Sequence, residues 1–532
     1  MPIDVSFNLL TKPWIPVIRD GEYTEMNLRD VLHSAHDISA ISDPLPIAEF
    51  GLYRFLVALV MDIWEFKDSL DLEDLLSAGE FDPTKIDGYF QKWGDRFDLF
   101  DSKMPFLQTA DMDALPDKPL SGLLPCVPSG TAARHFHHFS ESDFAVSPAA
   151  AARLLTTIAP FMTAGGAGLA PSINGAPPWY VLINGRSLFE TICLNCFVGD
   201  SRLTGTAPVA WRNPLPPKTD GRCTKASLLE ALTWRPRCIK LVPSGPGKCS
   251  LSGVDSPVLI RSMKFRAGAS CDFTWTDPSV PYKITEKGPL VMRPQDGKEI
   301  WRDTGPLALL REGIYKSAKG NVGFNRPSLV DQFERLVVDN CISLKSLSLS
   351  AYGMRTDMKM KVFEWQKEDL CVPAQLITGS KFANFAQEAI ENADRAEYAI
   401  KRAIKHLYPR DGNGNAKALE TIIDNTTRQY WFILRPIYSD LLEELAAVPG
   451  DKRAEAKFLV DDKWRESVRK VAINVFDSAS ESFDTYGDSI QRQVEARLSL
   501  LRSLRTIFDT FEEKDAKKKS KVNTSTKGGY MQ

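Results

Sequence analysis

A chain of 532 residues with 43% apolar and 10% aromatic side chains is long enough to build two or more domains with their own cores, which excludes a disordered or fibrous protein. Its formal charge of −2 excludes the strongly basic balance of a small nucleic-acid-binding module, so any such role rests on local patches. Nine cysteines with little paired spacing argue against a disulfide framework; with no apolar leader and no bilayer-length run, the reading is a soluble, cytoplasmic protein without membrane contact.

The first predicted element is a hairpin: WIPVIR is extended, Asp20-Gly21 is a strong turn pair, and EYTEM returns. Asn27 is placed to cap a short helix over LRDVLHSA. From Pro46 to about Phe97 the pattern is helical. Its most apolar run, FLVALVMDIW from Phe55 to Trp64, is about half a membrane span and reads as a buried helix. Between Asp101 and Ser147 periodicity fades and Pro, Gly, Ser and His take over, and irregular stretches of that length tend to be functional or disordered. Ser147-Pro148 then opens a helix over AAAARLLTTIA. TAGGAGLAPSINGAPP, from Thr163 to Pro178, precedes the strand-like WYVLI. Residues 200–300 carry short β runs (IKLVP, SPVLIRSMKF, CDFTWT), and helices resume with WRDTGPLALL and SLVDQFERLVVDN.

The last third changes character. Between Phe382 and Phe511 there are four long amphipathic stretches, divided at Pro409–Gly412, at Pro449-Gly450 and near Tyr486-Gly487, the pattern of a four-helix bundle. Phe382, Phe385, Ala386, Ile390, Ala393, Ile400, Ile404 and Leu407 mark one face of the first helix. Ile490, Val494, Leu498, Leu501, Leu504, Phe508 and Phe511 mark one face of the last. The Lys-rich end is expected to be disordered.

Three histidines crowd into ARHFHHF, but His135, His137 and His138 lie in an irregular stretch, and neighbouring His137 and His138 cannot easily point at one centre. Metal binding there is weighed against a contact surface and disfavoured. Cys193 and Cys196 form CxxC in a helical pattern with no second pair, which favours packing over zinc or redox chemistry. Cys238 and Cys249 stand in a β-rich stretch that supplies too few sulfurs for a tetrahedral site. Phosphate-loop, nucleophile-elbow and dinucleotide fingerprints are missing, and GGAG at Gly165–Gly168 follows a helix rather than a strand. Those glycines allow either close backbone approach to a ligand or a plain connector. Lys264 and Arg266 flank Phe265 on a predicted strand, and Arg355, Lys359 and Lys361 cluster in GMRTDMKMKVF. Either set suits phosphate or minor-groove contact as well as an ordinary solvated strand face.

Taken in order, FNLLTKPWIPV, MPFLQT, SGTAARHFHH, TAGGAG, GKCSLSG, DPSVPY, WRD, YGMR and the C-terminal bundle resemble the large subunit of the type I-E CRISPR surveillance complex Cascade, the CasA family. The resemblance runs from about residue 7 to 512. It implies a non-enzymatic subunit that recognises the protospacer-adjacent motif (PAM) of double-stranded target DNA from the minor groove. Such a subunit helps strand separation, while guide RNA pairing reads the target. The partners implied are that DNA, the 5′ end of the CRISPR guide RNA, other Cascade subunits and a recruited helicase–nuclease, with no cofactor and no metal.

Residue by residue, the resemblance places Phe136, with Arg134, His135, His137 and His138, in a mobile loop near the guide RNA and the PAM. It places Gly165, Gly166 and Ala167 in a glycine-rich loop at the minor groove, and either Lys264 or Arg266 as the minor-groove cation. It aligns Thr356 to Lys359, beside Arg355, with a wedge hairpin whose usual glutamine is replaced here by Met358 or Lys359. In some relatives cysteines around GKC suggest a zinc ribbon; SLSG stands in their place here.

The expected fold is α+β: a large mixed α/β domain over residues 1–372, a four-helix bundle over 373–512 and a tail over 513–532. Two rival readings are a metal-dependent phosphodiesterase using His135, His137 and His138, and a purely structural scaffold subunit.

Overall fold

The computed structural model describes residues 5–124, 144–165, 168–200, 203–213, 222–311, 313–317, 320–357, 362–378, 382–408, 416–483 and 486–525. Met1–Asp296 and Phe324–Cys371 form one unit, and Gly297–Gly323 with Val372–Gln532 form the other.

The first unit is mixed α/β. Its opening hairpin joins Ile15–Arg19 to Glu22–Met26 through Asp20 and Gly21, whose φ angles of 53° and 80° give the turn that follows the right-handed twist of paired strands. Ile38–Ile41 pairs on the other side of Ile15–Arg19. Between them, Asn27 caps the helix Leu28–His33 by accepting the Asp30 N–H at 2.9 Å.

The helix Pro46–Trp64 carries apolar residues on every side, with Glu49, Arg54 and Asp62 buried among them, and is buried along nearly its whole length. Gly51 lets the helix Pro148–Thr156 come close, because a Cβ there would stand 3.0 Å from the Thr156 backbone. Cys193 and Cys196, in and just after the helix Leu188–Asn195, are fully buried, and burial pushes both thiols upward. They pack as small apolar groups.

A buried polar network sits in this core. Arg54, on the long helix, pairs with Asp277 at 2.9 Å, with side-chain exposures of 4% and 0%. Asn174 donates to the same carboxylate at 2.9 Å and to the Tyr180 hydroxyl at 3.2 Å, and that hydroxyl donates to the Pro160 carbonyl at 2.8 Å. Burial alone would raise the Asp277 pKa, but Arg54 and the hydrogen-bond donors outweigh it and hold the carboxyl below its usual range. Tyr180 begins the strand Tyr180–Asn184, which pairs antiparallel with Ser346–Thr356; Val362–Pro373 completes this sheet as its outer strand.

The second unit is a four-helix bundle. Its helices are Ala383–Lys405, Ala416–Ala447, a third made of Arg453–Phe458, a π-helical turn Leu459–Trp464 and Arg465–Ser480, and Asp488–Ser525. The first helix packs on the other three and buries Phe385, Ala386, Ile390, Ala393, Ile400 and Ile404 on one face. The last helix departs from the single stripe expected of it. Ala496, Leu500, Leu504 and Phe508 are buried, whereas Ile490, Val494 and Leu498 are exposed. Its apolar residues cover two adjacent faces, and only one meets the bundle. This helix continues to Ser525, beyond residue 512, because DAKKKSK consists mostly of good helix formers without Gly or Pro. Trp301, from Gly297–Gly323, packs on Trp431 and Tyr438 with ring centroids 5.6 and 5.3 Å apart, so this segment belongs to the helical unit. No described helix is long and apolar enough to cross a membrane.

Candidate nucleic-acid interface

The strand Leu259–Ala267 is the middle one of a three-stranded sheet, between Lys118–Pro119 and Arg237–Ser244. Side chains alternate across it. Met263, with Ile239 and Leu241 of the neighbouring strand, faces the core. Lys264 and Arg266 point the other way, and Lys264 lies directly across from Lys240. Two opposed ammonium groups would destabilise the pair. Two aspartates of the preceding irregular segment neutralise them: Lys240 Nζ lies 2.6 Å from Asp113, and Lys264 Nζ lies 2.5 Å from Asp117 and donates to the Leu115 carbonyl at 2.7 Å. The bond from Lys264 holds the Asp117 carboxyl below its usual range. Arg266 is exposed and has no ion pair among the described residues. The neighbouring strand Arg237–Ser244 is held by MPFLQT: Gln108 accepts the Leu241 N–H at 2.7 Å and donates to the Leu99 carbonyl at 2.7 Å.

Arg237 ties the glycine-rich segment to this sheet. Its guanidinium donates to the carbonyls of Thr163, at 2.8 Å, and of Ala170, gripping the segment on both sides of its glycines. It also lies 5.8 Å from the ring centroid of Phe265, between Lys264 and Arg266. Burial lowers its pKa to about 10, so it stays cationic at neutral pH. Gly165 belongs to the same cluster. Its N–H donates to Leu169, and a Cβ there would meet Leu169 Cδ1 at 3.0 Å and Arg237 Nη2 at 3.5 Å. Gly168 has φ +80°, a left-handed conformation that favours glycine.

Arg355 stands near the end of Ser346–Thr356, in a different sheet. Its Nε donates to Glu364 at 2.7 Å, and its guanidinium lies 4.9 Å from the Phe363 ring centroid. Gly353 supports this hairpin, since a Cβ there would lie 2.5 Å from Pro294 and 2.8 Å from the Trp179 ring.

The structure thus brings Gly165 beside Arg237 on the core-facing side of this sheet, leaves Lys264 and Arg266 on its opposite face, and places Arg355 on a separate hairpin. Arg134, His135, Phe136, His137, His138, Gly166, Ala167, Met358 and Lys359 lie outside the described residues. Among the described residues no three His, Cys, Asp or Glu side chains gather as a metal site. Arg237, Asp113, Asp117 and Gln108 were invisible to sequence reasoning, because each matters through a neighbour distant in the chain. Chemically, the exposed Arg266 and, on the other side of the strand, a small-residue backbone are the groups open to a phosphate-bearing ligand.

The profile of the family described as CRISPR-associated protein Cse1 matches residues 8–475. The CRISPR-associated protein CasA/Cse1 of Thermus thermophilus is 28% identical over 505 residues, spanning 88% of this chain and 92% of that protein. The crystal structure of Cse1 from Acidimicrobium ferrooxidans shares the fold with a TM-score of 0.73 at 22% identity, covering 96% of this chain and 99% of that one. A chain of a structure described as a CRISPR RNA-guided surveillance complex gives a TM-score of 0.69 at 21% identity, covering 94% of this chain and 100% of that one. With its ordered motifs, its mixed unit and its four-helix bundle, this chain belongs to the Cse1 (CasA) family of CRISPR-associated proteins.

Proposed function

We propose that this chain is a non-catalytic, DNA-binding large subunit of a type I-E CRISPR RNA-guided surveillance complex. It recognises the PAM from the minor groove, helps open the duplex for guide RNA pairing and helps recruit the helicase–nuclease. One observation carries the reading: Arg237 ties the glycine-rich segment to Phe265 of the strand whose other face bears Lys264 and Arg266. A glycine-rich backbone tied to a strand that exposes an arginine suits a minor groove lined by phosphates. Of the two candidate cations, Arg266 is the groove contact in this proposal, since Lys264 is already held by Asp117 and Leu115. A near-neutral chain is compatible with this role, because only one band of surface meets DNA.

The test is Arg266→Ala, alone and with Lys264→Ala, in the assembled complex. The single change should weaken binding to a PAM-containing duplex by about 1–3 kcal/mol and lower the slope of log affinity against log salt by about 1. Unchanged binding at physiological salt for the double variant rejects the assignment.

A further inference from the structure

The short strands Arg222–Cys223 and Ser270–Cys271 pair in parallel, with Cys223 directly opposite Cys271. Residues opposed in neighbouring strands stand about 4.8 Å apart and turn their side chains to the same face. That spacing lies inside the range of about 4.4–6.8 Å over which two Cα atoms carry a disulfide. The two cysteines are distant in the chain, so only the strand pairing brings them together.

Their surroundings differ from those of Cys193 and Cys196. That pair is sealed in the core, whereas Cys223 and Cys271 are half-buried, within reach of a small solute. Burial pushes both thiols up, and Glu230 and Cys271 add to the effect on Cys223, so both are protonated at neutral pH and exchange slowly. Both pack on a small apolar cluster of Ile173, Ala226, Ala231, Trp234 and Ala269. Cys271 also donates its S–H to the Ile173 carbonyl, 3.9 Å away. Ile173 belongs to the glycine-rich stretch that Arg237 holds at Thr163 and Ala170.

We propose that Cys223 and Cys271 form a reversible disulfide that releases the Ile173 carbonyl, a redox switch on the glycine-rich stretch. The oxidant is a low-molecular-weight disulfide of the glutathione class. One protein thiolate attacks its S–S bond, forming a mixed disulfide and expelling one small thiolate. The second protein thiolate attacks the protein sulfur of that mixed disulfide and expels the other. The protein gives up two electrons and two protons, and the small disulfide leaves as two thiols. Cys271 then lacks the proton it shared with Ile173. Formation of the link stands apart from the proposed function; its effect on DNA rests on that reading.

The test treats the full-length chain with oxidised glutathione at mildly alkaline pH, alkylates the remaining thiols and maps the peptides by mass. The expected product joins the peptides of Cys223 and Cys271, and dithiothreitol separates them. Separate glutathione adducts on the two cysteines, or pairing of either with a third cysteine, overturn the proposal. In the assembled complex, the linked chain should bind a PAM-containing duplex at least about twofold more weakly than the reduced chain. Cys223→Ser with Cys271→Ser cannot form the link and keeps a hydroxyl donor toward Ile173, so it should lose that sensitivity to oxidised glutathione. Equal affinity of the linked and reduced forms, in a complex that distinguishes the PAM, overturns the switch. A reduced complex indifferent to the PAM sinks only the proposed function, and the peptide map then decides the link.

Discussion

In the mixed first unit the pair Arg54–Asp277 is sealed from water in the middle of the core. In the helical unit, Arg302 is shared by Asp394 and Glu397 and Arg465 by Asp461 and Glu388, and these carboxylate side chains stay 14% to 49% exposed. The difference follows from how each unit satisfies its backbone. Bundle helices pair their own N–H and C=O groups, so they need only apolar stripes to assemble. The first unit holds irregular segments whose polar groups have no ladder, and polar side chains take that part. Gln108 serves Leu241 and Leu99, Arg237 serves Thr163 and Ala170, and Asn174 joins the Arg54–Asp277 pair. The candidate interface sits among those cross-links, which suggests that they orient its surfaces as well as hold the core.

The largest test of this contrast is Asp277→Ala. It leaves Arg54 buried without its carboxylate and should lower stability by about 3–5 kcal/mol, read as a fall in the urea midpoint of the full chain. The pH dependence has a definite sign. The folded pKa of Asp277 lies below its ordinary value, so its contribution is complete at neutral pH. It fades as pH falls below the ordinary carboxylate range toward the folded value, and the variant should lack that part of the acid sensitivity. An unchanged midpoint would mean that the first unit does not depend on its buried charge.

The helical unit can be tested within one helix. Leu504→Ala, on the buried face of Asp488–Ser525, should cost about 2–5 kcal/mol. Val494→Ala, on the exposed face, should change stability by no more than about 0.5 kcal/mol. Similar costs at both positions would restore the single apolar stripe that the structure divides.

The smallest expected effect belongs to the aspartates that hold the two lysines. Asp113→Asn with Asp117→Asn removes two partly exposed ion pairs worth about 0.2–1 kcal/mol each. On the proposed function, the assembled complex should then bind duplexes without a PAM modestly more tightly and with a steeper salt dependence, because both lysines become available to phosphates. Weaker binding to every duplex would show that the aspartates shape the surface instead of occupying its cations.

Much of the architecture is written in local sequence. Asp20-Gly21 specifies a hairpin, Asn27 and Ser147 specify helix starts, and the breaks at residues 449–450 and near 487 separate bundle helices, because each acts on its own backbone or within one turn. The strand bearing Lys264 and Arg266, and the glycine-rich stretch beside a helix, are legible for the same reason. Other features depend on which distant residue arrives nearby. The sequence marks Ile490, Val494 and Leu498 as apolar, but only packing leaves them outside the bundle's buried face. It shows Trp301 without showing that Trp431 and Tyr438 receive it.

The candidate interface divides along the same line. The residue types able to meet a phosphate were visible from the order of the chain. That Asp117 holds Lys264, that Arg266 stands exposed, and that Arg237 binds the glycine-rich segment to the strand between them were decided by tertiary structure alone. Hydrogen bonds and ion pairs act over a few ångströms of space, and no spacing in the sequence encodes which residues will share that distance.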